Sequence, residues 1–176
     1  MSLEVTRPVA ATSYMRALAH PLRLRMLSLL TGAPMSAAEL ARELGGTHAN
    51  ASYHLKQLRL AGLVELDGQR TVRGGRERRY RIAPEQEVMG QADRQAQDLW
   101  PAAVSEELRR RWSDRDPEMP RAHADAELWV EPEVWAQVVG HLQVGLQLLH
   151  SSARPPRTPG TVRTSATVSV FGMNDA

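Results

Sequence analysis

The stretch THANASYHLKQ (residues 47–57) is rich in side chains that donate or accept hydrogen bonds. Hydroxyls, amides, imidazoles and one ammonium in this order do not make a nucleophile with its base or an acid–base pair. Together they match a row of donors and acceptors on another surface. A second group follows: Arg70, Arg73, Arg76, Arg78, Arg79 and Arg81 crowd one short segment. Like charges that close repel unless an anion lies between them, which points to phosphate. No phosphate loop, dinucleotide fingerprint, HExxH or GxSxG is present, and no enzyme activity is expected. The chain has no cysteine, and Asp114, Asp116, Glu118, His123 and Asp125 lie on a proline-broken stretch without ligand spacing. No metal and no other cofactor is expected.

These side chains need elements to position them. Ser13 is suited to cap a short helix through Ala19, and Pro21 opens a second in PLRLRMLSLL, ended by Gly32 and Pro34. Ser36 and Glu39 make a capping-box pattern for a third helix, AAELAREL, which the Gly45-Gly46 pair stops. Thr47 is an N-cap for a fourth helix to Ala61, with Gly62 as its terminator. On that helix Ala51, Leu55, Leu58 and Gly62 form a narrow inward stripe. Asn50, Tyr53, Lys56 and Gln57 then face outward with Ser52 at their flank, and His48 lies in the first turn. His54 falls at the stripe's edge, as a structural histidine would, and His20 shapes the turn before Pro21. Next, LVEL, a turn-prone Asp67-Gly68, an Arg/Gly-rich tip and RRYRI read as a two-stranded hairpin, with Tyr80 on the core side.

Overall charge is only +2, but it is unevenly divided. Residues 1–82 carry 13 basic and six acidic side chains, a net +7, whereas residues 83–176 carry nine and 14, a net −5. A basic front half calls for a polyanion, and an acidic rear half for dimerisation or sensing. No apolar run approaches the roughly 18 residues that span a bilayer, and the start lacks an export signal. A cytoplasmic protein without a membrane partner is expected.

A small residue at the front of the fourth helix's stripe lets the third helix cross closely, the arrangement of a helix-turn-helix. Its second helix enters the major groove of DNA, where Asn and Gln pair with adenine, Lys with guanine, and first-turn N–H groups meet phosphate. Helices followed by a β-hairpin give the winged-helix order. The segments ALAHPLRLRMLSLL, SAAELARELGGTHANASYHLKQLRLAGLVEL and GGRERRYRI resemble the ArsR-type winged helix-turn-helix transcriptional regulators over about residues 14–82. The resemblance implies a homodimeric bacterial regulator, a repressor or an activator, whose partner is double-stranded DNA. It implies that residues 47–56 enter successive major grooves while the wing meets the backbone or minor groove. It also implies that the first helix and the one after the wing form the dimer interface. The family's Cys and His metal sites have no counterpart at the matching positions, so metal sensing is not carried over. The DNA-contacting set expected is Ser36, Thr47, His48, Asn50, Ser52, Tyr53, Lys56, Gln57, Arg70, Arg73, Arg76 and Arg78. The alternative is a winged helix that binds a partner protein through its fourth helix.

Beyond the wing, residues 84–112 read as two helical pieces, 84–99 and 101–112, with a kink at Pro101. The apolar stripe of Val88, Ala92, Ala96, Leu99 and Ala103 moves about 180° around to Val104, Leu108 and Trp112. Residues 113–125 are a charged, proline-containing linker. The last unit reads as β-α-β: a strand in AELWV, an amphipathic helix from Pro132 to about Ser151, and an alternating strand in TVRTSATVSVF. The expectation is thus an α+β, mainly α chain: a winged helix-turn-helix over 1–83, dimerisation helices over 84–112, a linker over 113–125 and a dimerisation or effector unit over 126–176. Trp100, Trp112, Trp129 and Trp135 are the candidate walls of a pocket for a small-molecule effector.

Overall fold

The computed structural model describes residues 9–72, 75–84, 88–89 and 94–174. Among them the chain order is β1 (Val9–Ala10), α1 (Ala11–Leu18), α2 (Pro21–Gly32), β2 (Met35–Ser36), α3 (Ala37–Leu44), α4 (His48–Leu60), β3 (Val64–Val72), β4 (Gly75–Ile82), β5 (Val88–Met89), α5 (Arg94–Ser113) and α6 (Pro132–Ser152). The class is α+β and mainly α, as expected. α2, α3 and α4 enclose one core with an antiparallel sheet of order β2-β4-β3. Met26, Leu30, Leu40, Ala41, Ala51, Leu55, Leu58 and Val64 meet there, with Tyr80 packed at the margin.

The helix boundaries follow from local chemistry. The Ser36 hydroxyl accepts from the Glu39 N–H at 3.2 Å, while the Glu39 carboxylate accepts from the Ser36 N–H at 2.8 Å, so two free donors of α3 are satisfied at once. Gly45, at φ 68°, ends α3 in the left-handed conformation that a Cβ disfavours, and the Gly46 N–H closes the turn on the Ala41 carbonyl at 2.9 Å. Thr47 caps α4 by accepting from the Asn50 N–H at 3.2 Å. α1 departs from expectation: it begins at Ala11, after an Ala10 cap position that makes no side-chain hydrogen bond, and Ser13 lies inside it.

The hairpin also differs. Asp67-Gly68 is not its turn: β3 runs through both, and the extra residue is absorbed as a register shift between Leu66 and Gly68 opposite Tyr80 and Arg79. A bulge keeps the ladder going where a turn would have shortened the wing. β2 is a third strand, pairing Met35 with Tyr80 and Ser36 with Arg79. It is only two residues long, below what periodicity can reveal.

The region after the wing corrects two expectations. Val88–Met89 is a strand, paired in parallel with Val9–Ala10, not the start of a helix at Pro84. α5 is one helix from Arg94 to Ser113 with Pro101 inside it, not two pieces. Its buried residues are Ala96, Ala103 and Glu107, an inward face that runs on past the proline, whereas Leu99 of the expected first stripe is exposed along with Leu108 and Trp112. A buried carboxylate at Glu107 hid that continuity; Arg110 at 2.9 Å and Arg111 at 3.4 Å hold it. α1 packs along α5.

Of the expected β-α-β unit only the helix forms. Residues 122–131 and 161–174 carry no strand, and no residue of α6 is buried. Alternation decides which face a strand would bury, but a strand exists only when a neighbour completes its ladder, and two isolated strands are marginal in water. The C-terminal segment does touch the N-terminal unit. The Arg154 carbonyl lies against Gly32, where a Cβ would collide with it, and Arg157 pairs with Glu43 of α3 at 2.7 Å.

This packing predicts a sharp contrast in stability. Leu55→Ala should cost about 2–5 kcal/mol in denaturant unfolding, from lost burial and the cavity left behind. Leu148→Ala, on exposed α6, should change it by less than about 0.5 kcal/mol.

Candidate nucleic-acid interface

α4 divides its residues sharply. Ala51, His54, Leu55 and Leu58 are buried, whereas Thr47, His48, Asn50, Tyr53 and Lys56 are exposed and Ser52 and Gln57 are half-buried at the sides. The outward residues predicted from spacing therefore share one ridge. Tyr53, 57% exposed, stands at its centre. The ridge starts at the free N-terminal end of α4, where backbone N–H groups and the helix dipole favour an anion.

Ser36 belongs elsewhere. It is 1% exposed, its hydroxyl donating to Glu77 at 2.6 Å besides capping α3, so it holds the framework and does not reach a partner. Arg79 is half-buried and also tied to the framework: it pairs with Glu39 at 3.0 Å and donates to the Pro34 carbonyl, joining β4 to the start of α3. Arg81 is held by Glu65 at 2.6 Å and by Asp67 at 3.7 Å. Arg70, Arg76 and Arg78 are exposed. Arg73 lies outside the described residues. The wing arginines thus separate by alternation and by neighbours into structural and outward-facing sets, a division the crowding of charge alone did not reveal.

The Glu39 carboxyl connects these parts. Burial pushes its pKa up, but the Ser36 N–H and then Arg79 outweigh that and hold it below its ordinary value of 4.5. His54 is buried, 6% exposed, as a structural histidine would be, with its ring 4.6 Å from that of His20 and 5.1 Å from that of Tyr53, but its Nδ1 makes no hydrogen bond among the described residues.

The four tryptophans do not assemble a pocket. Trp129 is 86% exposed on a segment without strand structure, and Trp112 packs edge-on to His123 with Arg115 over its face. Trp100 and Trp135 are half-buried on α5 and α6. An open, mainly apolar cleft lies instead between the end of α2, the base of the wing and His150. Among the described residues no group of three or more His, Asp or Glu could hold a metal ion, and no helix is long and apolar enough to cross a membrane.

Residues 18–67 match the family model of a helix-turn-helix domain. In this part of the chain α3, the Gly45-Gly46 turn and α4 have the helix-turn-helix arrangement. With β3 and β4 as its wing, it is a winged helix-turn-helix. Solved structures similar to the chain include the homodimeric winged helix-turn-helix DNA-binding domain of a possible ArsR-family transcriptional regulator from Mycobacterium bovis. It is 25% identical, with 64% of this chain and 85% of that one covered, at a TM-score of 0.37. A possible transcriptional regulator for arsenical resistance is 28% identical, covering 59% and 97%, at 0.34. A protein of M. tuberculosis is 31% identical, covering 57% and 87%, at 0.34. At scores this low the fold rests on the chain's own geometry. No curated protein matches the chain.

A carboxyl whose pKa is lowered on folding stabilises the winged helix-turn-helix above the ordinary value, and that contribution is lost as pH falls through the lower folded value. Thermal midpoints across the acid range should therefore show wild type more stable than Glu39→Gln above pH 4.5, with the gap closing in stronger acid. A gap that stays constant would refute the link.

Proposed function

We propose that the chain is a sequence-specific, double-stranded-DNA-binding transcriptional regulator of the ArsR type, a repressor acting as a homodimer in the bacterial cytoplasm. The carrying observation is the ridge of Thr47, His48, Asn50, Tyr53 and Lys56, exposed on a helix whose opposite side is anchored in the core. Its short polar side chains suit base edges in the major groove, with Ser52 and Gln57 at its sides. Arg70, Arg76 and Arg78 on the wing, with Arg73 at its tip in the sequence, suit the backbone or minor groove. Two copies would read half-sites about one helical turn apart. The exposed apolar residues Leu99, Leu108 and Trp112 on α5, beside its contact with α1, support these helices as the dimer interface.

The C-terminal segment 126–176 serves on this reading as a dimerisation or effector unit, joined to the DNA-binding part by residues 113–125. Its contacts at Gly32 and Glu43 give it a physical route to α2 and α3. The exposed Tyr53 and Leu60 on α4 favour a second reading, a module that docks on a protein surface.

A gel-shift salt titration on a pool of genomic fragments separates the two. A regulator enriches particular fragments, and its log-affinity falls steeply with log-salt. Arg76→Ala and Arg78→Ala should each reduce the slope by about 0.9 if the side chain neutralises one phosphate. Failure to enrich any fragment at low salt would sink the DNA-binding reading.

A further inference from the structure

Beneath the outward ridge of α4 lies a cluster of nitrogen-bearing side chains that DNA contact does not require. His54 of α4 is buried and stacks on His20 at a ring separation of 4.6 Å, with the planes tilted by 52°. His20 is the N-cap of α2, its Nδ1 accepting from the Leu22 N–H at 3.2 Å, so that nitrogen must carry no proton. The Nδ1 of His54 and the Nε of Arg23 are buried without a hydrogen-bond partner among the described residues. Arg23 itself reaches back to the Arg16 carbonyl at 2.6 Å. The charged groups bearing on the imidazoles are Arg23 of α2, which opposes a positive charge on either ring, and Glu106 of α5, which favours one on His20. Tyr53, next to His54, closes the cluster from the ridge side with its ring edge-on.

We infer that the His20–His54 contact is a positioning device for α4 that works only while both rings are neutral, so that acid releases the recognition ridge from the framework. Protonating His20 turns its Nδ1 from acceptor to donor and removes the cap of α2. Protonating His54 puts a charge beside His20 and Arg23 in a buried place where, among the described residues, burial and these two neighbours oppose it. Either event pushes α4 away from the α1–α2 junction at Tyr53, in the middle of the surface that would read bases. Both rings have pKa values below the ordinary 6.5: burial lowers His20 first and Arg23 second, and burial lowers His54 first, followed by His20 and Arg23. The folded form thus takes up fewer protons than the unfolded one, and stability falls as pH drops through 6.5 towards the lower folded values. His54 and His20 act through α4 and do not themselves touch a partner.

The DNA arm of this inference rests on the regulator reading above, so the test has a second arm without DNA. In the full chain, the imidazole resonances of His20 and His54 should titrate below pH 6.5 in NMR, and the α4 backbone amides should shift with the same midpoints. Affinity for a duplex enriched from the genomic pool should fall between pH 7.5 and 5.5, as acid charges the rings that hold α4 in place. Positive charge added elsewhere by acid would tighten phosphate contacts, the opposite direction. His20→Asn, which keeps a capping side chain, and His54→Gln should flatten the profile. Rings that titrate at or above 6.5, α4 amides that do not follow them, or variants with the wild-type profile would each overturn the inference. If no duplex binds at any pH, the regulator reading fails while the NMR arm still decides this one. If a variant does not fold, the wild-type titration decides it.

Discussion

The N-terminal structure depends on the close crossing of α3 and α4. Leu40 and Ala41 meet Ala51, Leu55 and Leu58 above Met26, and the small Ala41 and Ala51 let two backbones approach where larger side chains would hold them apart. The inward stripe of α4 is narrow, so more than half of that helix stays outside. Anchoring one side firmly is what allows the other to present a fixed row of polar groups, which a loop could not do without paying entropy on binding. The turn between the helices supplies the rest of the constraint, since Gly45 reverses the chain at a positive φ.

The wing depends on a different force. β4 is heavily arginine-bearing, yet its charge is tolerated because alternation and ion pairing divide it. Arg79 is tied to Glu39 and Arg81 to Glu65, which leaves Arg70, Arg76 and Arg78 as the outward positive set. The carboxylate of Glu39 serves twice, capping α3 and gripping β4, so the wing is tied to the helix that supports the ridge. Glu77 reaches Ser36 from the same strand. Helix start, sheet edge and basic surface are thus one polar network, and such networks rigidify when every member has a partner.

The acidic half is organised more loosely. α5 belongs to the N-terminal body through α1, whereas α6 and the segments around it keep their apolar residues largely exposed. Among the contacts they make are polar or backbone ones, at Gly32, Glu43 and Asp114. Exposed ion pairs of this kind contribute little individually. They fix direction more than they stabilise, and those at Gly32 and Glu43 link the acidic half to α2 and α3.

Taken alone, the amino-acid sequence determined the order of the four N-terminal helix segments, both ends of α3 and α4, the outward row on α4 and the basic wing. Each follows from short-range chemistry: a Ser-x-x-Glu box, a Thr cap, two glycines and the period of an α-helix. Tertiary structure decided what depends on partners distant in sequence. It buried Ser36 against Glu77, divided the arginines, paired Val88 with Val9 and turned Asp67-Gly68 into a bulge. It also kept α5 whole through Pro101 and put a carboxylate, Glu107, on the inward face, held there by two arginines. The alternation of residues 161–171 settled nothing on its own, since a strand's hydrogen bonds belong to its neighbour and not to its own pattern.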